Sequence, residues 1–181
     1  AIVYVGRIEA RKGVWTLLEA FSKIHTEFPE LTLRLVGENT LGSRLWNYLR
    51  SRKLIGSVTA LGYVYEPYRL REVTHALAVV VPSLLEGFGL TAAEAMAAGA
   101  CVVASNCPGL RSIISDGKTG MLFSAGNALS CATTLQKVLY DTALRERLGD
   151  AARKEAVLRF APERQAREIQ ALYDEFSKKC R

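Results

Sequence analysis

Six short apolar runs punctuate the chain, and each has the length of a β-strand. These runs do not alternate apolar with polar residues, so they predict strands that are buried on both faces of a parallel sheet. The predicted strands cover residues 2–5, 31–36, 58–61, 77–81, 101–104 and 120–123.

Between these runs, apolar residues recur at the three- and four-residue spacing of an amphipathic helix. The predicted helices cover about 14–28, 41–49, 67–76, 90–98 and 110–114, and further C-terminal helices cover about 127–178. Strands that alternate with helices form parallel sheets with right-handed crossovers. The pattern therefore predicts one doubly wound, Rossmann-like α/β domain over residues 1–181, with extra C-terminal helices.

The charge pattern narrows the class of partner. The chain carries 24 Lys and Arg against 18 Asp and Glu, a net charge of +6. A moderately basic domain can hold phosphates, nucleic acid or an anionic membrane surface. The charges form no block and are not interleaved with aromatic residues, which argues against nucleic acid. The basic residues after 150 predict a solvated face, and peripheral membrane contact is the alternative.

The spacing of the cysteines and the lengths of the apolar runs indicate the cellular compartment of the protein. The four cysteines, Cys101, Cys107, Cys131 and Cys180, form no CxxC pair. That spacing disfavours a zinc or redox motif and is typical of free thiols in a reducing compartment, so we expect a cytoplasmic protein. No apolar run approaches the ~18–20 residues that span a bilayer. Because the chain opens inside an apolar strand, we expect it to be a piece of a longer protein.

The loop after the first strand is basic. In open parallel sheets, ligands bind beyond the carboxyl ends of the strands. This loop, residues 6–13, places Arg7, Arg11 and Lys12 before a helix that starts near Gly13. The free N–H groups and positive dipole of a helix N-terminus favour an anion, and Arg and Lys suit phosphate oxygens. The loop predicts a diphosphate site, with a solvated turn as the alternative and Arg11 facing solvent.

The loop after the fourth strand is acidic and glycine-rich. Seven residues separate Glu86 from Glu94, and both can face the crevice above the sheet. Carboxylates accept hydrogen bonds from sugar hydroxyls, and Gly87 and Gly89 permit close approach of a ligand to backbone N–H groups. In the alternative reading, Glu94 complements the helix dipole and Glu86 is a surface acid.

A dinucleotide fingerprint overlaps the same loop. Gly87, Gly89 and Ala92 fit the relaxed pattern GxGxxA. However, the pattern follows the fourth strand instead of the first, and it begins five residues after Pro82. No acidic residue ends a strand about 20 residues later. We therefore do not expect a nicotinamide or flavin cofactor.

Several motifs, in this order and spacing, resemble those of the retaining GT-B glycosyltransferases of family GT4. The matching segments cover nearly the whole chain. They are the GR and KG pairs at 6–7 and 12–13, the EX7E signature within 82–90 and 94–99, and the stretches 102–105, 116–120 and 160–173. The resemblance implies the C-terminal, donor-binding domain of a GT-B enzyme, without the N-terminal acceptor domain.

The resemblance also implies roles for individual residues. Arg7 and Lys12 would grip the diphosphate of a nucleoside-diphosphate (NDP) sugar and stabilise the leaving group, a catalytic role that they would share with Glu86 beside the transferred sugar. Glu94 would accept from the ribose hydroxyls. The remaining donor-binding residues would be Gly87, Phe88, Gly89, Leu90 and Thr91 on one side and Gly62, Tyr63 and Val64 near the base, with Gly37 and Glu38 beside them.

The family needs no metal because its cations replace one, and the sequence agrees, since it has no DxD pair and no His/Cys cluster. We expect no cofactor. The sequence departs from the family pattern at three places that bear on the preference for a donor sugar. Cys101 stands where the family usually has Pro, Pro108-Gly109 replaces Gly-Gly, and Ser112 falls where a Glu is common. A non-catalytic sugar-nucleotide binder and a sugar-nucleotide epimerase remain alternative functions, although the EX7E context favours a transferase.

Overall fold

A six-stranded parallel sheet organises residues 1–179, which the computed structural model describes. The spatial order of its strands is β3-β2-β1-β4-β5-β6, and every neighbouring pair is parallel. The strands are β1 (Ile2–Val5), β2 (Leu33–Val36), β3 (Val58–Gly62), β4 (Ala78–Val81), β5 (Val102–Ser105) and β6 (Met121–Phe123). The predicted doubly wound α/β fold is confirmed.

Helices connect the strands and continue beyond the last one. They are α1 (Val14–Ile24), α2 (Ser43–Ser51), α3 (Tyr68–Thr74), α4 (Leu90–Ala97), α5 (Pro108–Arg111), α6 (Ala128–Tyr140), α7 (Thr142–Phe160) and α8 (Pro162–Lys179), and a 3-10 turn at Ala10–Lys12 precedes α1. The prediction for α5 was displaced by two residues, since Pro108 starts the helix with its fixed φ and missing N–H. None of the described helices is both long and apolar enough to cross a bilayer.

The core has two layers because successive strand residues point to opposite faces of the sheet. Val80 faces the layer that contains Leu17 of α1 and Leu135 of α6, whereas Val79 faces the layer that contains Met96 of α4. Both faces of β4 and β5 are fully buried. The prediction of complete burial is wrong for β3 and β6, which lie at the two edges of the sheet and are partly exposed.

The strand order reverses between β1 and β4, and this reversal positions the site. From β1 the chain adds β2 and then β3 on one side, and it returns to add β4, β5 and β6 on the other. The loops that follow β1 and β4 therefore emerge side by side at the carboxyl edge, where doubly wound sheets bind ligands. These are the basic and the acidic loops singled out from the sequence.

Candidate ligand site at the carboxyl edge of the sheet

The loop after β1 is anchored to the strands beneath it. The backbone N–H of Gly6 donates to Val36 O at 2.8 Å, and the Tyr4 hydroxyl donates to Arg7 O at 2.5 Å. Burial, followed by the charges of Glu9 and Glu86, raises the pKa of Tyr4, so the phenol remains a donor. The Arg7 side chain is 57% exposed and lies 3.5 Å from the Glu9 carboxylate. A fixed backbone thus presents an accessible guanidinium.

Gly13 allows the two loops to touch. Its φ of +71° lies in the left-handed region, and a Cβ at this position would lie 1.8 Å from the carbonyl oxygen of Pro82. Only glycine tolerates both conditions. Just beyond this contact, the N–H of Leu84 donates to Arg11 O at 3.1 Å. The basic loop and the acidic loop therefore pack backbone against backbone.

This packing joins two predicted site residues from distant parts of the chain. Lys12 Nζ donates to Glu86 Oε2 at 2.8 Å, and Ser83 Oγ donates to the same oxygen at 3.0 Å. The Lys12 and Glu86 side chains are 23% and 18% exposed. Burial raises the pKa of Glu86, but the hydrogen bonds from Lys12 and Ser83 and the charges of Lys12 and Arg11 outweigh it, so the net pKa is below its usual value. Glu86 is held as a carboxylate.

The acidic loop is supported from below by α5. A Cβ on Gly109 would lie 2.3 Å from Glu86 O and 2.8 Å from Gly87 O, so the start of α5 packs directly under the loop. Ser105, at the end of β5, donates its hydroxyl to Ser83 O. The sequence pointed to Gly109 only as a departure from the family pattern and gave no sign of this contact.

The rest of the acidic loop leads into α4. Gly89, with φ +95°, is the N-cap of α4 and has no side chain to cap the first N–H groups of the helix. Phe88 and Leu90 are 47% and 64% exposed, and Thr91 is half-buried. The Phe88 ring also contacts the Phe160 ring edge-on, with centroids 5.5 Å apart. An uncapped helix N-terminus therefore lies beside the Lys12–Glu86 pair and can accept an anion.

Glu94 has a partner that the sequence did not reveal. Arg69 Nη1 donates to Glu94 Oε2 at 2.7 Å, and Arg69 Nη2 lies 2.6 Å from Glu66 Oε1. Arg69 belongs to α3, which follows the loop predicted to border a nucleobase. The only feature of the sequence that pointed to Arg69 as a site residue was its position just after that loop.

A cavity of about 320 Å³ opens at the ends of β1, β2 and β3. Its lining includes Arg7, Glu38, Tyr63, Val64 and Arg69. The volume lies at the lower end of the range for small-molecule sites, which combine apolar walls with a few polar groups. Two arginines and an acid on largely apolar walls fit that description.

A backbone contact between Gly37 and Gly62 joins the loops after β2 and β3 at this cavity. Gly37 belongs to the cavity lining, and its N–H donates to Gly62 O at 2.8 Å. Gly62 ends β3, directly before Tyr63. The structure therefore brings Arg7 together with the loops after β2 and β3.

The predicted residues form two groups at the carboxyl edge. Lys12 and Glu86 pair at the junction of the loops after β1 and β4, whereas Arg7 lines the cavity beside Arg69, the partner of Glu94. Cations of this kind bind phosphate oxygens, and the carboxylates accept hydroxyl hydrogen bonds. Within residues 1–179, no three or more His, Cys, Asp or Glu side chains gather as a metal site.

Comparison with protein families matches residues 1–155 to the model described as glycosyl transferases group 1. This chain belongs to the group 1 glycosyltransferases. It is 33% identical over 153 residues to glycogen synthase from Mycobacterium tuberculosis, an alignment that covers 84% of this chain and 37% of that protein. Group 1 membership agrees with the resemblance found in the sequence motifs.

Solved structures of glycosyltransferases share the fold. Sucrose-phosphate synthase from Thermosynechococcus elongatus superposes with a TM-score of 0.88 at 32% identity, covering 98% of this chain and 45% of that one. HepE from Anabaena, solved in complex with UDP, superposes with a TM-score of 0.88 at 23% identity, covering 96% of this chain and 48% of that one. The prediction of a GT-B-type Rossmann-like domain is confirmed. This group 1 chain spans less than half the length of each of these relatives.

Proposed function

We propose that the carboxyl edge of the sheet binds a nucleoside-diphosphate sugar and forms the donor half of a retaining, metal-independent glycosyltransferase. One observation carries the proposal: two cations, Arg7 and Lys12, and two acids, Glu86 and Glu94, come from distant parts of the chain to the same edge. Family membership supports the choice of a sugar nucleotide, and the fold is compatible with it, since HepE has been solved with UDP-glucose.

In this proposal, the diphosphate binds between Arg7, Lys12 and the uncapped start of α4. When the bond between the sugar and the diphosphate breaks, negative charge grows on the departing phosphate oxygen. Fixed cations at that oxygen stabilise the transition state more than the ground state, so Arg7 and Lys12 would contribute to the rate as well as to binding. The donor carries its own phosphates, and these side chains supply the positive charge that a metal would otherwise provide.

The carboxylates orient the sugars. Glu86 is held as an anion by Lys12 and Ser83, so it would accept a hydroxyl of the transferred sugar. Glu94 would accept from the ribose hydroxyls, with backbone N–H groups of Gly87 to Thr91 beside the sugar and phosphate. The base would enter the cavity lined by Glu38, Tyr63 and Val64.

Nucleotide-induced stabilisation tests the proposal. At a ligand concentration of about 100 times Kd, binding adds about 2.7 kcal/mol to the unfolding free energy, or a Tm increase of about 5–10 °C for a domain of this size. We expect one of UDP, GDP and ADP to give the largest increase. Arg7→Ala and Lys12→Ala should each weaken binding at least about tenfold, because each removes a charge-assisted hydrogen bond.

Lys23→Ala is the matched control, because Lys23 lies in the last turn of α1 and its ammonium makes a loose 3.9 Å contact with Glu19. It should retain the full increase in Tm. If none of the three nucleotides raises Tm, or if Lys12→Ala responds like the wild type, the proposed donor site is wrong.

We further propose that a second domain supplies the acceptor site, since this chain spans less than half of its relatives. The isolated chain should therefore bind the nucleotide but transfer no sugar at the rate of a full-length enzyme. Sugar transfer by the 181-residue chain at such a rate would contradict this part of the proposal.

A further inference from the structure

Arg69 is a cation at the site, but none of the donor-binding roles proposed above involves it. It bridges two elements of the site, because its guanidinium donates to Glu94 of α4 at 2.7 Å and lies 2.6 Å from Glu66, in the loop after β3. Glu66 is fixed in turn, since its other carboxylate oxygen accepts from the backbone N–H of Leu70 at 3.1 Å. A continuous set of contacts thus runs from the α3 backbone to the Glu94 carboxylate.

This arrangement restricts Glu94 without using up its capacity to accept hydrogen bonds. The planar guanidinium makes directional contacts, so it limits the rotamers of the carboxylate that it holds. A carboxylate offers about four lone-pair sites, and the Arg69 hydrogen bond occupies one of them, on Oε2. Glu94 can therefore accept ligand hydroxyls while Arg69 remains bound.

We propose that Arg69 is a positioning residue that orients Glu94 for the ribose hydroxyls before the nucleotide arrives. This inference rests on the proposed function, because it presumes a nucleotide with its ribose at Glu94. Holding the carboxylate in advance removes the ordering cost from the binding step, and the benefit exists only for a ligand whose sugar donates to Glu94. Arg69 therefore increases the preference of the site for ribose over a sugar that lacks both hydroxyls.

The exposure of these side chains argues against a purely stabilising role. The Arg69, Glu94 and Glu66 side chains are 30%, 41% and 52% exposed. Ion pairs that are open to water contribute little to folding. Arg69 also lines the 320 Å³ cavity, as Tyr63 and Arg7 do, so it lies at the proposed nucleotide site.

The test compares nucleotides with and without ribose hydroxyls. Calorimetric titrations would measure binding of UDP, GDP and ADP and of their 2′,3′-dideoxy counterparts to the wild type and to Arg69→Ala. We expect Arg69→Ala to weaken binding of the preferred ribonucleotide about fivefold, the cost of ordering one side chain, and binding of its dideoxy counterpart by less than about twofold. Arg69→Lys should recover part of the loss, because it retains one cationic donor.

Arg71→Ala is the matched control. Arg71 is exposed on the same helix and lines a different cavity, together with Glu72 and His75. Its removal deletes the same charge and should leave both affinities unchanged. If Arg69→Ala does not fold, Arg69→Gln, which removes the charge and keeps a side chain of intermediate length, should show the same selective loss for the ribonucleotide.

Two kinds of failure are distinguishable. If the wild type binds none of the nucleotides, the proposed function fails and the inference fails with it. If the wild type binds but Arg69→Ala weakens the ribo and dideoxy forms equally, or weakens neither, the proposed function stands and the positioning role of Arg69 is overturned.

Discussion

At the residue scale, the Lys12–Glu86 pair serves two purposes. It stabilises the contact between two loops, and it keeps a carboxylate ionised at the proposed sugar site. Because the pKa of Glu86 in the folded chain is below its usual value, folding favours the ionised form. The resulting stability is fully present above the pKa of a glutamate in the unfolded chain, about 4.3. It is lost as the pH falls through the lower pKa that Glu86 has in the folded chain.

Glu86→Gln should therefore destabilise the domain in a pH-dependent way. At pH 7 we expect a loss of about 1–2 kcal/mol in unfolding free energy, from the lost charge-assisted hydrogen bonds. The difference from the wild type should shrink as the pH falls below about 4 in urea-unfolding measurements. Glu19→Gln, which removes the exposed 3.9 Å partner of Lys23, is the control and should cost less than about 0.5 kcal/mol throughout. If Glu86→Gln loses the same unfolding free energy at every pH from 7 to 3, the lowered pKa of Glu86 is contradicted.

The charged residues at this edge of the sheet differ in how far the sequence reveals them. Arg7, Lys12, Glu86 and Glu94 were predicted because basic and acidic residues follow apolar runs, and the carboxyl ends of parallel strands meet at one edge. Arg69 was missed because its pairing with Glu94 joins two helices 25 residues apart in the chain. No local periodicity encodes such a contact, which depends on how α3 crosses to β4.

At the element scale, α5 supports the acidic loop. Its start packs so closely under Glu86 and Gly87 that Gly109 has no room for a Cβ. The strands and long helices could be predicted because their apolar spacing is repeated over several residues. The contact between α5 and the loop could not be predicted, because a four-residue helix is too short to show a helical period. The contact also depends on how close to the loop α5 starts at Pro108.

Gly109→Ala tests this support. The added methyl would lie 2.3 Å from Glu86 O, so either the loop or α5 must move. We expect a loss of about 1–3 kcal/mol in unfolding free energy, typical of overpacking, together with weaker nucleotide binding. Gly87→Ala is the stability control, because its Cβ would meet nothing within 4 Å. Equal stabilities for Gly109→Ala and the wild type would show that the loop yields without cost.

At the scale of the whole molecule, the sheet separates two closed core layers. Cys101 and Cys131 belong to one layer and Cys107 to the other, and all three are buried. Burial raises the pKa of Cys131 to about 12; burial also raises that of Cys101, to about 11, although the charge of Arg145 opposes the shift. Cys180 lies outside the described residues, so the three core thiols report on the two layers only when Cys180 is replaced.

Thiol reactivity should therefore track global unfolding. In Cys180→Ser at pH 7, we expect a thiol reagent to leave the native protein unmodified and to modify three cysteines in denaturant, because the thiolate is the reactive form and the core excludes the reagent. Time-resolved mass spectrometry can count the modified thiols. Rapid modification of Cys107 alone would show that the layer beneath the proposed site opens independently of the rest.

The overall architecture was predictable and the internal arrangement of the site was not. Buried strands without polar alternation specify a parallel sheet, and a parallel sheet places the loops that follow its strands at one edge, so the sequence predicts a candidate site at that edge. Burial at the sheet edges was overestimated because apolar residues such as Leu61 and Met121, which are only partly buried, look the same in the sequence at a central and at an edge position. Strand order, which the chain order does not specify, decides between the two.

The most direct test of the proposed function is a crystal structure of the chain with the nucleoside diphosphate that raises Tm most. It should show diphosphate oxygens within about 3 Å of Lys12 Nζ and the Arg7 guanidinium, and ribose hydroxyls on Glu94. A nucleotide bound elsewhere on the molecule, with no phosphate oxygen within hydrogen-bond distance of Lys12 Nζ or the Arg7 guanidinium, would contradict the proposed donor site.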